Sequence, residues 1–303
     1  TGYMERAADV TRLLNVADNV QLERSADEAA EVWRNLLRVL NREEEYAAEY
    51  GDELTTENLN RFLILDGNQP GAVSWSVRQA RTNVMNIRDA VPIELLEAVN
   101  ALNTRFVTGE LRRHAGNSPH EIYDVLSADC QRIAGVVDDG MVRDDTYSFL
   151  MLGRMLERAQ MTCRVIEVNA SVGRSDAATW MSVLRSLSGM HAFLRTHGPL
   201  ASAEEIADFL LHSDSFPFSV LHCLRAAGRH FNVVGDSATW KSMRALGRVA
   251  SQVEFMDVPP VDSPHLEDVI EEVLLAIREV GEALNEDLYR HGREPALFSF
   301  EVV

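Results

Sequence analysis

Trp33-Arg34-Asn35-Leu36-Leu37-Arg38-Val39-Leu40 is a helical phrase, and Trp180-Met181-Ser182-Val183-Leu184-Arg185-Ser186-Leu187 repeats it 147 residues later. Working outward, Phe62-Leu63-Ile64 returns as Phe209-Leu210-Leu211 at the same spacing. Pro70-x-x-Val73-x-x-x-Val77-Arg78-x-Ala80 likewise returns as Pro217-x-x-Val220-x-x-x-Leu224-Arg225-x-Ala227. Towards the front, Glu5-Arg6-Ala7 with Arg12 returns as Glu157-Arg158-Ala159 with Arg164, now 152 residues on. The difference of five residues fits one loop shortened in the second copy. Four collinear matches with one small gap point to a duplicated helical unit. We expect one all-α domain made of copy one, about 1–140, and copy two, about 141–303. Each copy has apolar stripes to bury, and packing them together predicts a helical bundle with pseudo-two-fold symmetry.

Local signals agree with helix throughout. Capping boxes read at Ser25-Ala-Asp-Glu28, Ser118-Pro-His-Glu121 and Ser202-Ala-Glu-Glu205. In each, Ser can cap free amides and Glu can answer three residues later. Pro119 and Pro264 each follow a Ser, the first-turn position that proline tolerates. Glycine and proline gather between these blocks, at 67–71, 198–199 and 259–260. No series of alternating strands or β-hairpin turn interrupts them. The reading is all-α, with about ten to twelve helices of ordinary length.

Composition narrows the function. The formal net charge of −18 lacks the basic face that releases counterions from nucleic acid, and it disfavours an anionic membrane. Lys241 is the single lysine, so a Schiff-base or P-loop lysine would have to be that residue, which lies in no suitable motif. Cys130, Cys163 and Cys223 are far apart and form no C-x-x-C pair, which suits a reducing cytoplasm rather than a disulfide framework or a zinc site. No apolar run reaches the eighteen or so residues of a membrane span, and no signal peptide is visible. The chain opens at Thr1-Gly2-Tyr3-Met4 inside a helical pattern, so the expectation is that its natural start lies further upstream.

On a helix, Glu5 and Arg12 project to nearly the same side. Tyr3, Ala7, Val10 and Leu14 make a separate apolar stripe with Arg6 on its flank. The second copy places Met155, Ala159, Thr162 and Ile166 in the stripe, with Glu157 and Arg164 opposite and Arg158 beside them. One reading is structural: arginines fork onto carboxylates of neighbouring helices and fix their register. The other is a ligand site, since paired arginines suit carboxylates or phosphates.

These segments carry a family resemblance. Gly2-Tyr3-Met4-Glu5-Arg6-Ala7 and Gly153-Arg154-Met155-Leu156-Glu157-Arg158-Ala159 resemble the signature of the alpha-E domain family, helical proteins named for a Glu-Arg motif. Leu65-Asp66-x-x-Gln69-Pro70, Arg78-Gln79-Ala80-Arg81-x-Asn83 and Asp144-Asp145-x-Tyr147-x-Phe149-Leu150 extend the likeness over nearly the whole chain. It makes Arg78, Arg81 and Asn83 secondary candidates, joined through the repeat by Arg225. The chain departs from the family pattern at Gln69, Ala72 and Thr82, where the usual residues are Asn, Ser and Glu; Ser219 keeps the serine in the second copy. The resemblance implies an accessory role beside a circularly permuted ATP-grasp ligase, often with a transglutaminase-like protein, in peptide or amide bond formation. ATP and Mg would then be held by the ligase, and no cofactor by this chain. An enzyme of the same pathway, acting on a carboxylate or acyl-phosphate through the Glu-Arg clusters, is the alternative. A purely structural dimerisation module, a homodimer, is the third.

Other chemistries fit less well. A di-iron bundle uses Glu-x-x-His pairs, and none of the nine histidines has a Glu three residues before it. No metal site is expected. Glu110/His114 and Asp208/His212 stand at helical i, i+4 spacing without further ligands. Ser219-x-x-His222-Cys223, near His230, offers nucleophile and base types, although a helical Cys is usually a small buried hydrophobe. Gly135-x-x-x-x-Gly140 lacks the Lys-Ser/Thr of a phosphate loop.

Overall fold

A helix that is buried on all sides shows little amphipathic pattern, and α1 (Gly2–Gln21) is such a helix. Tyr3, Glu5, Ala7, Asp9, Val10, Leu13 and Leu14 are all buried along it. The computed structural model describes residues 2–22, 25–117, 119–171, 177–199, 201–234 and 240–290. They divide into two units, one up to Tyr147 and one from Ser148 on. Every described α-helix is accounted for by fifteen segments, more than the ten to twelve expected, and no strand occurs among the described residues. The excess comes from helices of only five to eight residues, too short for an apolar period to declare itself.

In the first unit α1 packs against α2 (Ala26–Val39), α5 (Val73–Asn86) and α8 (Pro119–Gly140). Between them run α3 (Glu43–Tyr50), α4 (Thr56–Asn60) with a π-turn at Arg61–Leu65, α6 (Ile93–Val107) and α7 (Glu110–Asn117). The Ser25 capping box forms, its amide donating to Glu28 at 3.1 Å. The box read at Ser118 and the side chain of His114 lie outside the described residues.

The second unit holds α9 (Asp145–Ser171) from Ser148 on, buried on every side from Phe149 to Ala170. It continues through α10 (Ala177–Ser186), α11 (Met190–His197), α12 (Ala203–His212), α13 (Val220–Phe231), α14 (Lys241–Phe255) and α15 (Pro264–Arg290). Ser202 and Glu205 close their capping box at 3.2 and 2.7 Å. The last two helices pack along one another. Their junction is polar: buried Asp287 accepts from both the amide and the hydroxyl of Ser242, at 2.9 and 2.8 Å. A carboxylate there satisfies first-turn amides that α14 cannot pair internally.

Local geometry recurs between the units. α2 ends in a left-handed Asn41 (φ 52°) with the Arg42 amide donating to Leu37; α10 ends in a left-handed Ser188 (φ 56°) with the Gly189 amide donating to Leu184. Tyr46 meets Phe62 edge-on with centroids 5.3 Å apart and stacks on Tyr50 at 5.0 Å. Phe193 meets Phe209 edge-on at 5.2 Å and stacks on His197 at 4.5 Å. No described helix is long and apolar enough to cross a membrane.

One carboxylate in the second unit opposes folding. Burial first, and then the charges of Glu271 and Glu267, push the Glu167 carboxyl up, against the pull of Arg164 and Arg278. A folded-state pKa above the unfolded one means ionisation costs the fold at neutral pH, and stability is recovered as pH falls through the folded pKa. Glu167→Gln should therefore raise stability at pH 7 by about 0.5 kcal/mol, the scale of a half-buried surface change. The gain should vanish below the ordinary carboxylate range. A pH series of melting curves checks it; a gain that grows in acid would contradict the assignment.

Candidate functional site

The Glu-Arg pair of the second unit sits in mid-helix on α9, where Glu157 and Arg158 are 7% and 8% exposed. Arg158 Nη1 donates to the Pro217 carbonyl at 3.2 Å, and its guanidinium lies 4.1 Å from the centre of the Phe218 ring. One turn further, the Thr162 hydroxyl donates to the Phe218 carbonyl at 2.8 Å. The Cys223 thiol of α13 adds a donor to Pro217 at 3.4 Å. These contacts converge on the loop 213–219, whose carbonyls lack the regular partners that a helix would supply. Thr162, read from the sequence as part of an apolar stripe, is one of the braces.

The far side of that loop is held from α13. Arg225 pairs with Asp214 at 3.0 Å and with Glu254 at 2.8 Å. The hydrogen bond from Arg225 holds the Asp214 carboxyl below its ordinary range, and Arg225 is itself raised by Asp214 and Glu254. Ser219 caps α13 by accepting the His222 amide at 3.2 Å, while its hydroxyl donates to the Ser213 carbonyl. His222 Nδ1 lies 2.6 Å from the Asp214 carbonyl oxygen and donates to it. Ser219 and His222 thus both serve the loop, which gives the serine–histidine pair a structural task. Cys163 and Cys223 are fully buried, and burial pushes the Cys163 thiol up, away from thiolate chemistry.

In the first unit the matching carbonyl, that of Pro70, is held by a different arginine. Arg42 Nε donates to it at 3.1 Å, and Nη1 reaches the Asn41 carbonyl at 2.9 Å and Glu45 at 3.0 Å. Arg42 is 7% exposed; burial and the nearby charge of Arg6 lower its pKa against the pull of Glu45. Gly71, at φ 88°, is what admits it: a Cβ there would stand 3.3 Å from Arg42 Nη2. The position 147 residues after Arg42 is Gly189, where a Cβ would meet Phe216 at 3.0 Å. The position 147 after Gly71 is Phe218, the ring under Arg158. Both loops are braced by an arginine, from mid-helix on α9 in the second unit and from the residue that precedes α3 in the first. Arg42 carries no repeat signal, which is why sequence comparison misses it.

Among the motif residues of α1, Arg6 is half-buried with its guanidinium 6.0 Å from the Tyr3 ring, and Tyr3 packs edge-on against Trp75 at 5.4 Å. Arg12 pairs with buried Asp9 one turn back on the same helix. Buried Glu5 faces α8: burial first, then Asp129, Glu5 and Asp9, push the Cys130 thiol up to about 12. Asp129 in turn lies 3.0 Å from Arg105. Asp9 and Asp129 are additions that no sequence motif marks. Arg164 is half-buried on α9, acting on Glu167. Arg81 donates to Asn100 of α6 at 2.7 Å, Arg78 donates to the Gly67 carbonyl, and Asn83 is half-buried on α5. The i, i+4 pair Asp208/His212 forms, at 2.8 Å. No group of three acidic, histidine or cysteine side chains able to hold a metal occurs among the described residues.

A family model matches residues 2–288: Alpha-E, described as a predicted alpha-helical domain with a conserved ER motif. No curated protein and no solved structure matches the chain.

Proposed function

We propose, from the premise that this chain belongs to the Alpha-E family, that it is an accessory, substrate-holding partner of an ATP-grasp peptide or amide ligase. The observation that carries this is the use of the motif itself. Arg158 is buried against a loop carbonyl and an aromatic ring, and Glu5 and Glu157 are buried with it or in its counterpart. Side chains so placed shape a surface; a general acid or base must reach its substrate within hydrogen-bond distance. ATP and Mg belong on the ligase in this reading. The purified chain should show no ATP hydrolysis, and adding the cognate ATP-grasp protein should give a complex on gel filtration or change that protein's turnover. Robust turnover by the chain alone would promote the alternative, an enzyme acting on a carboxylate or acyl-phosphate.

We also infer that the two units are copies of one ancestral unit, related by pseudo-two-fold symmetry. Supporting this are the paired left-handed residues Asn41 and Ser188, the two aromatic triplets, and the braced carbonyls of Pro70 and Pro217. In an experimental structure, superposing 2–130 on 145–290 should bring Trp33 onto Trp180 and Pro70 onto Pro217. Placement of either pair on non-equivalent helices would defeat the duplication.

A further inference from the structure

The repeat exposes a difference that bears on ligand binding. In the second unit, Arg225 of α13 holds the carboxylate of Asp214 at 3.0 Å, and Ser219 caps the helix. In the first unit the corresponding arginine is Arg78 of α5, 147 residues earlier, and the residue in place of Asp214 is Gly67. The cap is missing too: Ala72 stands where Ser219 does, and no side chain caps the amides of α5, a helix of 14 residues with no acid in its first turn. The first unit thus has the arginine without the partner carboxylate or the capping oxygen.

We propose that the first unit holds an anion site for a carboxylate, formed by Arg78, the Ser74 hydroxyl and the free end of α5, with Gly67 leaving the room. Two further observations support it. Ser74 is 9% exposed, and its buried hydroxyl makes no hydrogen bond among the described residues. A Cβ built on Gly67 would lie 3.3 Å from Arg78 Nη1 and 3.8 Å from Ser74 Oγ, so both groups converge on the space that a side chain at 67 would fill. Arg78 donates to the Gly67 carbonyl, and no carboxylate pairs with it among the described residues. Asp66, the nearest acid in the loop, accepts the Asn68 amide at 2.8 Å in a turn of its own. A helix N-terminus favours negative charge through its free amides and dipole, and a guanidinium adds a fork that fits two oxygens. The second unit shows which chemistry suits this fork, since Asp214 fills the equivalent place from within the chain. A carboxylate from another molecule, such as a peptide side chain or C-terminus, would do in the first unit what Asp214 does in the second. This assignment stands apart from the ligase partnership and survives its failure.

The test titrates the ¹⁵N-labelled full chain with sodium acetate at constant ionic strength, with inorganic phosphate as the comparison. Saturable shifts are expected at the amides of Gly67, Ser74 and Trp75, with acetate at least as effective as phosphate. Arg78→Gln should weaken the acetate response about tenfold, the worth of one charge-assisted contact. Gly67→Asp should abolish it, by supplying the carboxylate internally, and should raise the melting temperature. Gly67 is not in the left-handed region, and the contact its new side chain meets is the flexible end of Arg78, so the variant is compatible with the fold. Linear, unsaturable shifts overturn the proposal, as does a response untouched by either substitution. Saturation by phosphate with none by acetate overturns the carboxylate assignment.

Discussion

Arg158→Ala should destabilise the second unit by about 3 kcal/mol. The substitution removes the charged donor from the Pro217 carbonyl and leaves it only the weak Cys223 thiol, a loss of roughly 1.5–3 kcal/mol for a hydrogen bond from a charged group. It also removes the guanidinium from the Phe218 ring, a contact worth up to about 2 kcal/mol when desolvated. Arg158 is 8% exposed, so little of this is screened by water. The melting temperature of the transition should fall by about 6–12 °C, on the usual scaling for a unit of this size. Arg158→Lys should recover part of the loss, because an ammonium keeps the charge over the ring but not the planar fork. A loss under about 1 kcal/mol, as for an exposed pair, would show that the arginine is not a strut. A fall in ligase activity with unchanged melting would then assign it to a ligand.

Arg42→Ala should cost a similar amount, about 3 kcal/mol, because Arg42 is the buried donor to Pro70 and also holds the Asn41 carbonyl and Glu45. The informative comparison is with Arg6→Ala. If the bracing duty has passed from the motif arginine to Arg42 in the first unit, Arg6→Ala should cost less than Arg42→Ala. In the second unit the motif arginine itself should be the sensitive one. Denaturant melts of the three variants under one condition decide this. An Arg6→Ala loss equal to that of Arg158→Ala, with Arg42→Ala mild, would restore the simpler picture of two equivalent motifs.

The helical class was legible from local chemistry alone, because caps and first-turn prolines act within one turn of chain. Ser25 with Glu28, Ser202 with Glu205, and Pro264 at the start of α15 all do in the fold what their spacing implies. The Glu-Arg segments likewise sufficed to place the chain in its family over residues 2–288. What those residues touch was not legible. Arg42 and Pro70 are 28 residues apart, and Arg158 and Pro217 are 59 apart. Such bonds depend on which helices lie beside which loop, and no local spacing encodes that. The repeat equates Arg6 with Arg158 and gives no sign of Arg42, which donates to the loop of the first unit. Only packing decides the matter: Gly71 admits a guanidinium at one loop, whereas Phe216 and Phe218 fill the other and leave α9 to supply it.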